Sequence, residues 1–182
     1  MRMLWAFVFT YCAWAGAPKV EPHIKAAVEA FRAGHAAVGA QDWQRAEKSY
    51  LRAIDIEPTF VEAYRALEEL YSRTSRPMDL GAVLARLLQI EPDALPERLR
   101  LARLLIENNE WNRALAQLSL AMKIDPHDAE TLYWFGFAAI RADMADRASE
   151  VLARGAAEFP EDRRFGELLR QIKPAAAPGS RP

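Results

Sequence analysis

The sequence has few of the residues on which enzyme chemistry usually depends. It holds one cysteine, Cys12, and eight glycines among 182 residues, and it contains no G-x-S-x-G motif or glycine-rich phosphate loop. The three histidines, His23, His35 and His127, have no partner at a metal-ligand spacing. We therefore expect no catalytic residue, no metal site, no cofactor and no enzymatic activity of this chain alone.

The chain also lacks an excess of charge of either sign. Lys and Arg number 24 against 25 Asp and Glu, and the formal net charge is −1. Nucleic-acid-binding domains concentrate positive charge, so we expect no nucleic acid as partner. Ala and Leu are abundant and runs of alternating β-branched residues are missing, which predicts an all-α protein.

The amino-terminal residues form one long uncharged stretch. One Arg precedes residues 3–18, which carry no charge, and small residues stand at Ala13 and Ala15. This layout is typical of a secretory signal peptide. We expect residues 1–15 to be a signal peptide that takes the only cysteine with it, and residues 16–26 to lead into the first helix. The prediction is export, to the periplasm or out of the cell. The alternative is an uncleaved membrane anchor, the only membrane contact that we expect.

A repeat of 34 residues is visible in the prolines. Four of them are spaced by 34 residues each time: Pro58, Pro92, Pro126 and Pro160. A constant spacing of this size is typical of stacked helix pairs, each of which buries its apolar face against its neighbours. With each of these prolines at position 32, the units are residues 27–60, 61–94, 95–128 and 129–162.

Residue size also recurs within the unit. Outside the second unit, positions 8, 20 and 27 are small, as at Gly34, which allows close helix approach, and the larger residue at position 24, such as Tyr50, is expected to fill the space between units. Trp43 and Trp111 share position 17. Their recurrence favours packing at the turn, and a binding platform is the alternative. Pro77 holds this position in the second unit, where we expect it to begin a helix.

The pattern resembles the tetratricopeptide repeat, a helix-turn-helix unit of 34 residues, over 136 of the 182 residues. The family's Trp at position 4 is absent, and its Gly at position 8 remains only in the first and fourth units. The resemblance implies a right-handed α-solenoid with a C-terminal capping helix. We predict helices near residues 20–40, 43–56, 60–73, 77–90, 94–107, 111–124, 128–141 and 145–158, a capping helix at 163–173 and a disordered tail at 174–182.

The resemblance further implies a concave groove lined by the first helix of each unit. The expected partner-binding residues are Phe31, His35, Arg65, Glu69, Arg73, Arg100, Arg103, Tyr133, Trp134, Phe137 and Arg141. The six groove positions of the four units hold six Arg and four Glu, which favours an acidic or carboxylate-bearing protein or peptide. The Lys and Asn clamp with which some family members grip chaperone C termini is not reproduced, because Phe31 and His35 stand at its positions.

Tyr133, Trp134 and Phe137 supply aromatic bulk beyond the buried stripe that one helix needs, with Phe135 as the core member. Two interpretations remain open. These side chains pack against the capping helix or the facing helix of the unit, or they anchor a partner.

The leading hypothesis is a non-catalytic scaffold or adaptor that binds a peptide or helix of a partner in its groove, within a cell-envelope assembly. The alternatives are an accessory subunit of an enzyme or maturation system and a membrane-anchored adaptor.

Overall fold

The computed structural model describes residues 22–172, and the predicted signal peptide and tail lie outside this part. Within it the chain forms nine α-helices and no strand, which confirms the all-α prediction. The helices are α1 (Pro22–Gly39), α2 (Trp43–Ile56), α3 (Val61–Arg73), α4 (Pro77–Ile90), α5 (Leu95–Glu107), α6 (Trp111–Ile124), α7 (Ala129–Arg141), α8 (Ala145–Glu158) and α9 (Arg163–Leu169). None of these helices combines the length and the apolar character that a membrane span requires.

Each helix packs mainly on the next one in the chain, so that the pairs stack as a solenoid. The second helix of each unit ends two residues before the repeated proline, for example at Ile56 before Pro58. A proline disfavours helical backbone in the residue before it, and Glu57 at that place is extended, with φ −129° and ψ 93°. Pro77 is the first residue of α4, as predicted.

The turn inside each helix pair has the same backbone shape four times. Gln41, Ser75, Asn109 and Asp143 are the non-glycine residues with positive φ in the described part, at 58°, 55°, 61° and 59°. In the first turn the Asp42 N–H donates to the Ala37 carbonyl at 2.9 Å and the Gln41 N–H donates to the Val38 carbonyl at 3.0 Å. These two bonds close a Schellman motif, which reverses the chain in few residues.

Glycine permits the closest helix contacts. A Cβ atom on Gly34 would lie 2.4 Å from the Tyr50 ring, and one on Gly136 would lie 2.3 Å from the Leu152 side chain. Tyr50 and Leu152 are fully buried. Each contact joins positions 8 and 24 of one unit, whereas we had expected the side chain at position 24 to act between units.

The last helix, α9, covers the end of the stack. Phe165 is fully buried and Leu168 nearly so, while Leu169 and Ile172 are half-buried against the core. A Cβ atom on Gly155 would lie 2.3 Å from the Phe165 ring, so the glycine makes room for it. The helix ends at Leu169, earlier than the predicted end at residue 173.

Candidate partner-binding groove

The first helices of the units line a groove, and its central cavity lies between α3, α4, α5 and α7. This central cavity has a volume of about 610 Å³. Its walls are formed by Ser72, Leu80, Pro96, Leu99, Arg100, Arg103, Leu104, Glu107, Glu130 and Trp134. Its walls combine aliphatic and charged side chains, and among residues 22–172 no group of three His, Cys, Asp or Glu side chains is placed to hold a metal ion.

The second unit lacks the tryptophan that the first and third units carry at position 17. In the first unit Trp43 reaches the next unit, where Arg73 lies 4.8 Å over its ring. The repeat places Pro77 at the same position in the second unit, and the ring of proline is much smaller than an indole. The residues of α5 that such a tryptophan would meet, Arg103 and Glu107, instead face the central cavity. In the sequence, the weak match of the second unit to the repeat indicated that this unit differs from the others.

Arg103 supplies the cavity with a cation. Its guanidinium carbon lies 5.3 Å from the centre of the Trp134 ring, and Arg103 makes no ion pair with any residue that the structure describes. Trp134 is held in place because its Nε1 donates to Glu130 Oε2 at 3.0 Å. Glu130 in turn pairs with Arg164 of α9 at 2.7 Å. A partner carboxylate near Arg103 would therefore meet a cation without a competing ion pair.

Two other arginines of the predicted groove form ion pairs with carboxylates. Arg100 donates to Glu68 Oε1 at 2.5 Å, and Arg65 donates to Glu91 at 2.7 Å and lies 3.4 Å from Glu97. The hydrogen bond that the Arg65 guanidinium donates to Glu91 raises the pKa of this guanidinium. Sequence reasoning missed Glu68 and Glu97 as partners. Glu68 was visible as an acid at a position that is small or apolar in the other units.

A second, smaller cavity lies at the amino-terminal end of the groove, beside Trp43. His35, Glu69 and Arg73 line it, and its volume is about 130 Å³. An intermediate cavity of about 370 Å³ shares Glu69 and Arg73 with this pocket. The intermediate cavity also shares Arg100 and Ser72 with the central cavity. The three cavities thus form one continuous groove along the inner helices.

The remaining predicted residues lie in packing contacts. Phe31 packs on Phe60, with ring centres 5.1 Å apart. Tyr133 packs on Phe165 of α9 at 6.3 Å. These two side chains therefore contribute to the stacking of helices.

Phe137 and Arg141 pack farther along α7, where the Phe137 ring lies 6.4 Å from Trp111. Arg141 lies 5.3 Å over the Phe137 ring. The three rings remain in contact, since the Trp134 ring lies 5.0 Å from Tyr133 and 5.8 Å from Phe137, and Trp134 also lines the central cavity.

Comparison with known proteins is consistent with this architecture. Residues 113–172 match the family model of the tetratricopeptide repeat. A crystal structure of the MamA protein is similar, with 17% sequence identity, coverage of 81% of each chain and a TM-score of 0.66. MamA from Desulfovibrio magneticus RS-1 is 15% identical over 80% of this chain and 82% of its own, with a TM-score of 0.63.

A third similar structure is YrrB, described as "a TPR protein with an unusual peptide-binding site", which is 17% identical over 80% of this chain and 75% of its own, with a TM-score of 0.61. No curated protein matches the chain significantly. The number of four units remains a prediction, and the pairs α1 to α8 are consistent with it. The match over residues 113–172 and the similarity of these structures therefore show that the described residues have the right-handed α-solenoid fold of tetratricopeptide repeats.

Proposed function

We propose that this protein is a non-catalytic adaptor that binds an acidic peptide segment of a partner protein in the groove along α1, α3, α5 and α7. The observation that supports this proposal most directly is the central cavity, where Arg103 and Trp134 stand beside aliphatic walls. The indole face restricts the motion of an arginine that lies on it, and the N–H groups of this arginine can donate hydrogen bonds to a carboxylate. Leu80, Leu99 and Leu104 offer apolar surface to the neighbouring part of the same peptide.

Four charged side chains line the cavity: Arg100, Arg103, Glu107 and Glu130. Arg100 pairs with Glu68 and Glu130 pairs with Arg164, so Arg103 is the cation of the cavity without an ion pair among the described residues. A partner carboxylate is attracted to Arg103, and Glu107 and Glu130 disfavour further acidic residues beside it. YrrB is described as having a peptide-binding site, which agrees with a peptide as the occupant here.

The uncharged amino-terminal stretch supports a proposal about the compartment. We propose that the chain is exported and acts in a cell-envelope assembly, with a mature chain that begins near Gly16. Mass spectrometry of the purified exported protein should find this terminus and no Cys12. An intact Met1 on protein released from membranes would contradict cleavage, and Met1 on protein that stays in the membrane would indicate the anchored adaptor.

Peptide selection tests the binding proposal. A random twelve-residue peptide library displayed on phage is selected on the immobilised full chain, and affinities are measured by fluorescence anisotropy. We expect enriched peptides to carry Asp or Glu. Arg103→Glu should slow association and reduce its salt dependence, and Trp134→Ala should weaken binding by about 2 kcal/mol, as the loss of an interface anchor does.

The control is Arg113→Glu, which reverses the charge of an exposed arginine on α6, outside the groove. This variant should bind as the wild type does. Melting curves are measured for every variant, so that a loss of folding is not mistaken for a loss of binding. Equal affinity in Arg103→Glu, Trp134→Ala and the wild type would place the binding site elsewhere and refute the proposal.

A further inference from the structure

We propose that the cavity beside Trp43, here called the Trp43 pocket, is a second subsite that takes an aromatic side chain of the same partner peptide. This inference rests on the proposed function, because it assigns a second anchor to that peptide. The pocket lies between α1, α2 and α3, has a volume of about 130 Å³, and has Trp43, Tyr50, Ala66 and Leu70 among its walls. A cavity of about 150 Å³ is enough to hold benzene, so one phenyl ring matches the available space.

The chain itself contains a filled version of this pocket two units further along. The repeat aligns Trp43 with Trp111 and Glu69 with Phe137, at a separation of 68 residues in both cases. At the aligned position between the third and fourth units, the Phe137 ring lies 6.4 Å from the Trp111 ring. A phenyl group therefore occupies, at the junction of the third and fourth units, the place that is open beside Trp43.

A second aligned pair explains why the first pocket is open. Ala66 aligns with Trp134 in the repeat, and the Trp134 ring lies 5.8 Å from Phe137. The first junction has a methyl group and an exposed carboxylate where the later junction has two aromatic rings. The Glu69 side chain is 73% exposed, so it leaves the interior of the pocket unfilled.

The pocket holds Arg73 in an ion pair with Glu69 at 3.7 Å, and the Arg73 cation matches an aromatic guest. Arg73 lies 4.8 Å over the Trp43 ring, at the edge of the pocket. Its aligned residue Arg141 lies 5.3 Å over the Phe137 ring. The face of an aromatic ring is electron-rich and attracts a guanidinium, so Arg73 is placed to cover an entering ring as Arg141 covers Phe137. An aliphatic guest would not gain from this cation.

The continuity of the groove sets the spacing of the two anchors. The Trp43 pocket lies between α1 and α3, and Arg103 lies on α5. One and a half helix spacings separate these places, which is at least about 12 to 15 Å because directly packed helices lie about 8 to 10 Å apart, and about four extended residues span this distance. The partner should therefore carry an aromatic residue at least about four positions from its acidic residue.

The test uses the peptides selected on the wild-type full chain. They should share an aromatic residue at this distance from the acid. Replacing that aromatic residue by Ala in the peptide should raise the Kd for the wild type by roughly 30-fold, the effect of an interface anchor. Glu69→Phe rebuilds the contact of the later junction and closes the pocket. In this variant, replacing the peptide's aromatic residue by Ala should alter Kd by no more than about threefold. The four measurements form a double-mutant cycle, which isolates the contact between the peptide ring and the pocket.

Two further variants complete the experiment. Ala66→Trp fills the pocket from its other wall and should have the same effect, which keeps the test valid where Glu69→Phe does not fold. Lys48→Phe adds a phenyl group at an exposed site on α2 outside the groove and should leave peptide affinity unchanged.

The outcomes separate this inference from the proposed function. Selected peptides that carry acids but show no aromatic preference would refute the second subsite and would still support the acid-binding site at Arg103. A preference for aliphatic residues, or self-association of the wild type that Glu69→Phe abolishes, would identify another occupant and overturn it as well. A selection that yields no binding peptide would refute both proposals. Equal sensitivity of wild type and Glu69→Phe to the loss of the peptide's aromatic ring would place that ring elsewhere.

Discussion

Replacing Gln41 and Ser75 by glycine should stabilise the protein. Both residues have left-handed backbone, with φ of 58° and 55°, and both side chains are exposed. Neither side chain makes a hydrogen bond within residues 22–172, so the substitutions remove no described polar contact. The Schellman bonds of the two turns use backbone groups only, and glycine retains them.

The expected gain in the free energy of unfolding is the difference between two opposing effects. A non-glycine residue in the left-handed region costs about 1 to 2 kcal/mol, because its Cβ crowds the following carbonyl oxygen. Glycine gives the unfolded chain more freedom, which offsets about 0.4 to 1 kcal/mol of this gain. We expect about 0.5 to 1 kcal/mol for each substitution and, since the turns share no partner, about 1 to 2 kcal/mol for the double variant. For a chain of this length that is a rise in Tm of about 2 to 8 °C.

The other two turns provide matched controls. Asn109 and Asp143 have φ of 61° and 59°, but short polar side chains tolerate this conformation well. Glycine there should gain only a few tenths of a kcal/mol, and Gln41→Ala should change little. Urea unfolding followed by circular dichroism measures each free energy. A loss of stability in Gln41→Gly and Ser75→Gly, or an equal gain in Asn109→Gly, would refute the reasoning.

Three further predictions concern packing and charge. Phe165→Ala should lower the free energy of unfolding by about 3 to 5 kcal/mol, because the ring is fully buried; a variant as stable as the wild type in urea would show that α9 is not needed as a cap. Phe137→Ala should cost about 2 kcal/mol, since its ring packs on Trp111 and is half-buried, and a loss of peptide affinity with unchanged stability would instead make it an anchor. Glu47 accepts a hydrogen bond from Arg76 at 2.6 Å, which lowers the pKa of this carboxyl. The ionised carboxyl stabilises the fold fully above the unfolded pKa of about 4.3, and this stabilisation is lost as the pH falls through the lower folded pKa. Glu47→Gln should therefore make the free energy of unfolding less dependent on pH below about pH 5, measured in acid titrations. An unchanged pH profile would contradict this.

The sequence by itself determined the helices and much of their packing. The prolines spaced by 34 residues predicted where helices end, and α2 and α4 end two residues before Pro58 and Pro92. This succeeded because proline acts on the backbone of its immediate neighbours, and no distant contact is needed to predict its effect. Phe135 was correctly placed in the core, where its exposure is 1%, because helical periodicity defines the buried stripe.

The tertiary structure alone decided how the side chains of neighbouring units combine. Trp134 and Phe137 stand three residues apart on one helix with their rings 5.8 Å apart, yet Trp134 also lines the central cavity and Phe137 packs on Trp111 of the preceding unit. The ion pair between Glu68 and Arg100 likewise joins different units. Periodicity gives the direction of a side chain relative to its own helix axis, but the distance and rotation between helices depend on the packing of all residues at the interface. The position of each groove residue was therefore set by its neighbours in adjacent units, which no single repeat contains.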